Sequence, residues 1–193
     1  MPSVYNEGNY ENITFSELEL TEMNLCGTTF YNCSFTKSSF QYAILVDCEF
    51  QNCTFRNCNL ALAQLNNTKI IDTDFHDSKL LGINWGSVGI VIVASYTNCL
   101  LDNCAFSDMN LTKVKFNSCS LVEASFSHTK LARVKFDDCD LSRCQFHQTD
   151  LTRADFSTSR NYYMNAETNK LSKTAFSLPE AVSLLANLDI KLK

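Results

Sequence analysis

Large apolar residues recur along this chain at every fifth position. One series runs Phe15, Leu20, Leu25, Phe30, Phe35, Phe40, Leu45, Phe50, Phe55, Leu60, Leu65, Ile70, Phe75, Leu80, Trp85. A second, one frame later, runs Leu101, Phe106, Leu111, Phe116, Leu121, Phe126, Leu131, Phe136, Leu141, Phe146, Leu151, Phe156. Two residues before each large one there is usually a small one, as at Cys33, Ser38, Ala43, Cys48, Cys53, Cys58, Ala63 and Thr68. A period of five fits neither a helix near 3.6 nor a flat strand at 2. It fits a chain that turns a corner every five residues, with two side chains inward and three outward on each side. Four such sides close a coil, and coils stacked ~4.8 Å apart pair like parallel strands. One coil cannot bury its own interior, so stability comes from stacking. The pattern predicts an all-β fold, a right-handed quadrilateral parallel β-helix over residues 10–160. An irregular N-terminal cap over 1–9 and a C-terminal cap over 161–193 complete it.

Four sides of five predict a second period of twenty. A continuous aromatic column, Phe15, Phe35, Phe55, Phe75, Tyr96, Phe116, Phe136 and Phe156, follows if one residue is inserted as a bulge near 86–88. That placement makes Val91 and Tyr96 the next large positions, with Gly89 and Ala94 as their small partners. A six-residue insertion would break the column, so a bulge is expected here rather than a large projecting loop.

The ends need covering, because end coils expose apolar interior and open strand edges. The repeat falters at 161–170, returns at Leu171 and Phe176, and is followed by Ser177-Leu-Pro-Glu180. This has the form of a capping box, with Pro early in the first turn. A short helix is expected from about Leu178 to Asn187. Its stripe of Leu178, Val182, Leu185 and Leu188, extended by Ile190 and Leu192, exceeds what a plug needs. An end-to-end homodimer through this segment is the expectation.

Composition alters this picture little. Hydrophobic residues at 45% are enough for a continuous core, and the polar first twelve residues do not read as a signal peptide. The longest apolar run, Ile90 to Ala94, is too short to span a bilayer, so no membrane contact is expected. Nine of the ten cysteines occupy small inward positions, all but Cys26, and read as core packing rather than disulfides or metal ligands. Buried thiols suit a reducing, cytoplasmic compartment. His76, His128 and His147 fall on outward positions of different coils without ligand spacing. There is no phosphate-binding Gly loop, and a core filled with Phe, Leu and Cys leaves no interior pocket. No catalytic residue, metal or cofactor is expected, and the chain reads as a non-enzyme.

Charge is placed unevenly. The net charge is −5, which argues against direct nucleic-acid binding; residues 1–85 hold ten acids and four bases, and residues 86–160 hold eight of each. One corner, following the aromatic column, collects Glu17, Glu19, Asp77, Asp137, Asp138 and Asp140, diluted by Lys37, Arg56 and Lys79. The corner before the column starts acidic at Asp72 and Asp74. It then turns basic through Lys113, Lys115, Arg133 and Lys135, and ends on Arg153 with Asp155. The eight acids are the candidate partner-binding surface.

The repeat resembles the pentapeptide-repeat family. Two stretches, Leu81-Gly-Ile-Asn-Trp85 and Phe176-Ser-Leu-Pro-Glu-Ala-Val-Ser-Leu-Leu-Ala-Asn-Leu-Asp-Ile-Lys-Leu192, resemble its topoisomerase-protecting branch, which includes the Qnr quinolone-resistance and albicidin-resistance proteins. The resemblance implies a dimeric rod that imitates duplex DNA, binds DNA gyrase or topoisomerase IV, and protects it from a poison. About eight coils at ~4.8 Å give a rod of duplex-like proportions, roughly 38 Å long. That length of duplex carries about 22 charges, so imitation here must rest on shape and local acidic patches. The other reading is a structural or adaptor rod for a different protein partner.

Overall fold

The computed structural model describes residues 7–88 and 92–185. The chain winds as a four-sided parallel β-helix, each side pairing with the same side of the next coil. Phe15 pairs with Phe35, Phe35 with Phe55, and Phe55 with Phe75, always twenty residues on. The corners of the other sides continue as single parallel bridges, such as Glu19 to Ser39 to Asn59 to Lys79. The strand Lys69–His76 runs round a corner and pairs with both Glu49–Gln51 and Thr54–Arg56, joining two sides into one ten-stranded sheet.

At most corners the residue two places after the large one has a left-handed backbone. Asn32, Asp47, Asn52, Asn57, Asn67, Asp72 and Asp77 all have φ between +47° and +54°. Asn and Asp tolerate that region better than other side chains, which explains the polar composition of these sites. Two bulky residues also adopt it, Tyr42 at +57° and Leu62 at +59°. Gly82 takes the next place in that column, where a Cβ would lie 2.6 Å from Leu62 Cδ2; glycine is what lets Leu62 fold over it.

The small inward position has a specific duty. At many corners a side chain of the following coil reaches a carbonyl that the turn leaves over. Thr73 Oγ1 donates to Phe50 O at 3.2 Å, Cys53 Sγ to Phe30 O at 3.3 Å, and Ser159 Oγ to Phe136 O at 2.8 Å. Cys99 does the same to Phe75 O at 3.4 Å across the frame shift. Cys, Ser and Thr interchange here because each is small and each carries one donor. Buried carbonyls without a partner are costly.

The aromatic column is continuous. Rings from Phe15 through Tyr96 to Phe156, and on to Phe176, stack with centroids 4.6–5.7 Å apart and planes within 14°. Most coils set a further ring edge-on to this column, and its side changes along the rod; the coil of Phe35 adds Phe40 as well, from the side after the column. In the early coils Phe30 and Phe50 supply it, from the side before the column. From Trp85 onward Phe106, Phe126 and Phe146 supply it, from the opposite side. Ile70 pairs beneath Phe50 in the same coil that brings in Trp85, so a ring lost on one side is replaced by a ring on another and the interior cross-section stays filled.

The register steps by one residue in the neighbourhood of the sequence bulge: Phe75 pairs with Tyr96 and Lys79 with Leu100. The detail differs from the expected one. Trp85–Ser87 forms a turn of 3-10 helix whose start is held by the Asn84 side chain accepting from Gly86 N–H at 3.1 Å. Val88 is buried, and Ile92, not Val91, lies beneath Ile70. The pairing is offset by twenty-two residues at Ile70 and by twenty-one at Thr73, so extra chain is taken in and part of it given back. The expected small residue Gly89, and Val91 itself, lie outside the described residues.

At the far end Tyr162 and Met164 are buried over the last full coil, with Tyr162 against both Phe156 and Phe176. The helix is shorter than expected. One α-helical turn, Leu178–Ala181, passes into a 3-10 turn, Val182–Leu185; Asn187 lies outside the described residues. The capping box does not form, because Ser177 Oγ is 3.2 Å from Tyr162 Oη, and Tyr162 Oη also accepts from Ser177 N–H at 3.0 Å. The apolar residue that packs on the core is Leu184; Leu178 and Val182 are 87% and 49% exposed.

Phe116→Ala should destabilise the protein by about 3–5 kcal/mol, since Phe116 is stacked on both sides and a large cavity opens. Tyr96→Phe should act in the opposite sense. The Tyr96 hydroxyl is buried within the column without a hydrogen-bond partner, and deleting such a group recovers about 1–2 kcal/mol. Urea unfolding of both variants checks the two signs; a Tyr96→Phe protein weaker than wild type would contradict the second.

Candidate functional site

Most of the inward side chains are apolar. The ten cysteines remain thiols, nine buried and only Cys26 exposed. Burial pushes Cys53 up to about 11 and Cys104 up to about 12, far from the thiolate a nucleophile needs. Among the described residues no three His, Cys, Asp or Glu side chains are placed to hold a metal ion. His128 and His147, assigned to different coils, prove to be neighbours: they lie nineteen residues apart in adjacent coils, and their rings meet edge-on at 5.8 Å. Both are exposed. The clefts are shallow surface grooves, several of them along the corner that carries Asp72, Asp74, Lys113 and Lys115.

The candidate acids separate into three groups. Glu17 and Glu19 sit on the first coils, both exposed, with Glu19 accepting from Thr21 Oγ1 at 3.4 Å. Asp72, Asp74 and Asp77 lie in the middle of the rod around buried Phe75, all three exposed. Asp74 accepts a short hydrogen bond from Ser95, and Asp77 accepts from Asn98 Nδ2 at 2.6 Å.

Asp137, Asp138 and Asp140 form the third group, and cations neutralise them. Lys135 lies 2.9 Å from Asp137 and, with Thr158, holds its carboxyl below the usual range. Arg160 reaches Asp138 at 3.7 Å and Asp140 at 3.5 Å. Partial burial works to raise Asp140, but hydrogen bonds from Ser142 and Asn161, with Arg160 nearby, outweigh it and leave that carboxyl below the usual range. Sequence columns did not show which of these carboxylates a nearby cation engages: Lys135 in the same coil and Arg160 in the next.

The two ends differ in character. The residues expected to join two rods, Leu178, Val182 and Leu185, lie on the last described turns; Leu188, Ile190 and Leu192 lie outside the described residues. Leu178 and Val182 leave apolar surface at the end of the rod. Among the described residues, no helix is long and apolar enough to cross a membrane.

Comparison with known proteins agrees with the geometry. A family model for pentapeptide repeats matches residues 14–50 and 43–82, and one for a pentapeptide repeat region matches residues 92–165. A search of curated proteins finds no match. Among solved structures, a trypsin-treated variant of QnrB1, a plasmid-mediated fluoroquinolone resistance protein, is similar over 98% of this chain and 93% of its own, at 18% identity and a TM-score of 0.60. A second trypsin-treated QnrB1 variant covers 97% and 99% at 16% identity and a TM-score of 0.61. HetL, a pentapeptide repeat protein from the cyanobacterium Nostoc involved in heterocyst differentiation regulation, covers 89% and 86% at 17% identity and a TM-score of 0.51. With the two family models falling on either side of the register shift and the same four-sided coil running through both, the chain belongs to the pentapeptide-repeat family.

Proposed function

We propose that this protein is a non-catalytic, cytoplasmic rod that binds a type II topoisomerase, DNA gyrase or topoisomerase IV, and protects it from a poison as a resistance or self-immunity factor. The observation that carries the reading is the pairing of two features. The stretches Leu81–Trp85 and Phe176–Leu192 resemble the topoisomerase-protecting branch, and the whole chain superposes on a fluoroquinolone resistance protein. The physical mechanism is competition. A rod of duplex-like proportions occupies the enzyme's basic DNA-binding surface, or engages the poisoned complex and promotes release of the drug. Asp72, Asp74 and Asp77 are the acids best suited to that contact, because all three are exposed and none is ion-paired among the described residues. HetL, which has a different role, keeps open a second reading in which the rod is an adaptor for another protein.

The same reading includes a two-fold homodimer joined end to end through the C-terminal turns. Leu178 and Val182 face outward while Leu184 seals the core, so the apolar surface they leave is surplus to capping.

In a DNA-supercoiling assay with gyrase and a poison, added protein should restore activity, and Asp72→Asn/Asp74→Asn/Asp77→Asn should weaken that protection while melting like wild type. Protection should also fall as salt rises, since exposed charges are screened beyond ~8 Å at physiological ionic strength. No effect of the wild type on either poisoned enzyme at micromolar concentration would transfer the assignment to the adaptor reading. Val182→Asp should convert a dimer to a folded monomer by light scattering, and a variant that stays dimeric places the interface elsewhere. With a thiol reagent, the native protein should titrate one fast thiol, Cys26, and the unfolded chain all ten.

A further inference from the structure

Four cations on this rod, Lys69, Arg143, Arg160 and Lys170, are paired with an acid of the preceding coil. Lys69 lies 3.1 Å from Glu49, Arg143 2.7 Å from Glu123 and Lys170 3.2 Å from Asp150, each cation twenty residues after its acid. Lys37, Arg56 and Lys79 form no ion pair among the described residues and stand singly in their columns, but one column is basic over four successive coils. Lys113, Arg133, Arg153 and Lys173 follow one another at the same corner of successive coils, so that cation stacks on cation. All four are exposed, and none forms an ion pair among the described residues. Lys115 and Lys135 flank the column on the adjoining side, where a shallow groove runs between the two rows. Of these two, only Lys135 is engaged, by Asp137. Like charges directly opposite on neighbouring strands are destabilising, and here the arrangement is repeated over four coils.

We propose that this column binds the phosphate backbone of duplex nucleic acid, without sequence preference. A ladder of four cations at ~4.8 Å spacing is roughly 14 Å long. Over that length one strand of a duplex presents about four phosphates, at 3.4 Å of axis each. The number of charges and the length therefore agree. The large residue of this face, Phe116, is buried, so no aromatic platform is offered for bases, and a duplex fits better than a single strand. The net charge of −5, from which no nucleic-acid contact was expected, arises mainly in residues 1–85. The Debye length is ~8 Å at physiological ionic strength, so the local field, not the total, decides what approaches the column. This inference is independent of the topoisomerase reading and can fail or succeed without it.

The test is fluorescence anisotropy of a labelled 20-base-pair duplex with the full chain and no topoisomerase present. Four phosphate contacts predict a slope of log K against log salt of about −3.6, hence about 150-fold weaker binding at 200 mM than at 50 mM salt. Lys113→Gln/Arg133→Gln/Arg153→Gln should bind at least tenfold more weakly at low salt, with the slope reduced to about −0.9. It should also melt above wild type, because the repulsion is relieved. Should the triple variant fold poorly, Arg133→Gln alone should still lower the slope by about 0.9. A control that removes paired cations, Lys69→Gln/Arg143→Gln, should bind like wild type. The proposal is overturned if wild type does not bind duplex at 50 mM salt and tens of micromolar protein, or if the control loses as much as the triple variant. Competition by polyglutamate as effective as by unlabelled duplex would also overturn it and assign the column to an acidic protein segment.

Discussion

No coil of this protein can satisfy its own backbone. The N–H of Asn32 must find the carbonyl of Gln51, and that of Asp47 the carbonyl of Asn66, one coil further on. Everything else is arranged to keep that coil-to-coil register intact. The left-handed corner residues make the turns short enough to repeat, and the hydroxyls and thiols of the small positions occupy the carbonyls the turns leave over. The stacked rings fix the distance at which the next coil arrives. Stability in such an array is a sum of neighbour terms, so the ends are where it is weakest. Tyr162, Met164 and Leu184 are placed where that weakness would otherwise show.

The fold was legible because a period of five leaves almost no alternative, and the period of twenty then fixes which residues share a column. The placement of Tyr96 in the aromatic column follows from that periodicity alone. Periodicity says nothing about how a misfit is absorbed. The choice of Ile92 over Val91 beneath Ile70 depends on a local exchange, a 3-10 turn at Trp85–Ser87 held by Asn84, that no repeat rule contains. The C-terminal turns show the same boundary. Ser177 and Glu180 have the spacing of a capping box, yet the hydroxyl of Tyr162, fifteen residues away in sequence, takes up Ser177 instead. Tertiary contact overrides a local signal there.

The outer surface was legible as columns and less so as chemistry. Sequence alone put eight acids on two corners, but the availability of each depends on the side chain one coil away. Arg160 engages Asp138 and Asp140, while Asp72, Asp74 and Asp77 form no ion pair among the described residues. The basic column was equally visible as a list of positions. Its cations form no ion pair among the described residues and follow one another, where the unpaired cations Lys37, Arg56 and Lys79 stand singly in their columns. A rod with a clear acidic middle and a basic stripe beyond it has two unlike surfaces within a few coils of each other, which suits a protein that meets a large partner along its length.

The change of side of the second ring has a bearing on how such a chain could grow. Within either half, an in-frame duplication of one coil would insert a layer whose aromatic and aliphatic residues match both neighbours, and the rod would simply lengthen. A coil copied from the early half into the late one would set Phe30 or Phe50 against the leucines of one side and leave a leucine beneath the rings of the other. The coil that carries Ile70 and Trp85 therefore divides the gene into two stretches, each open to expansion by repetition and neither interchangeable with the other.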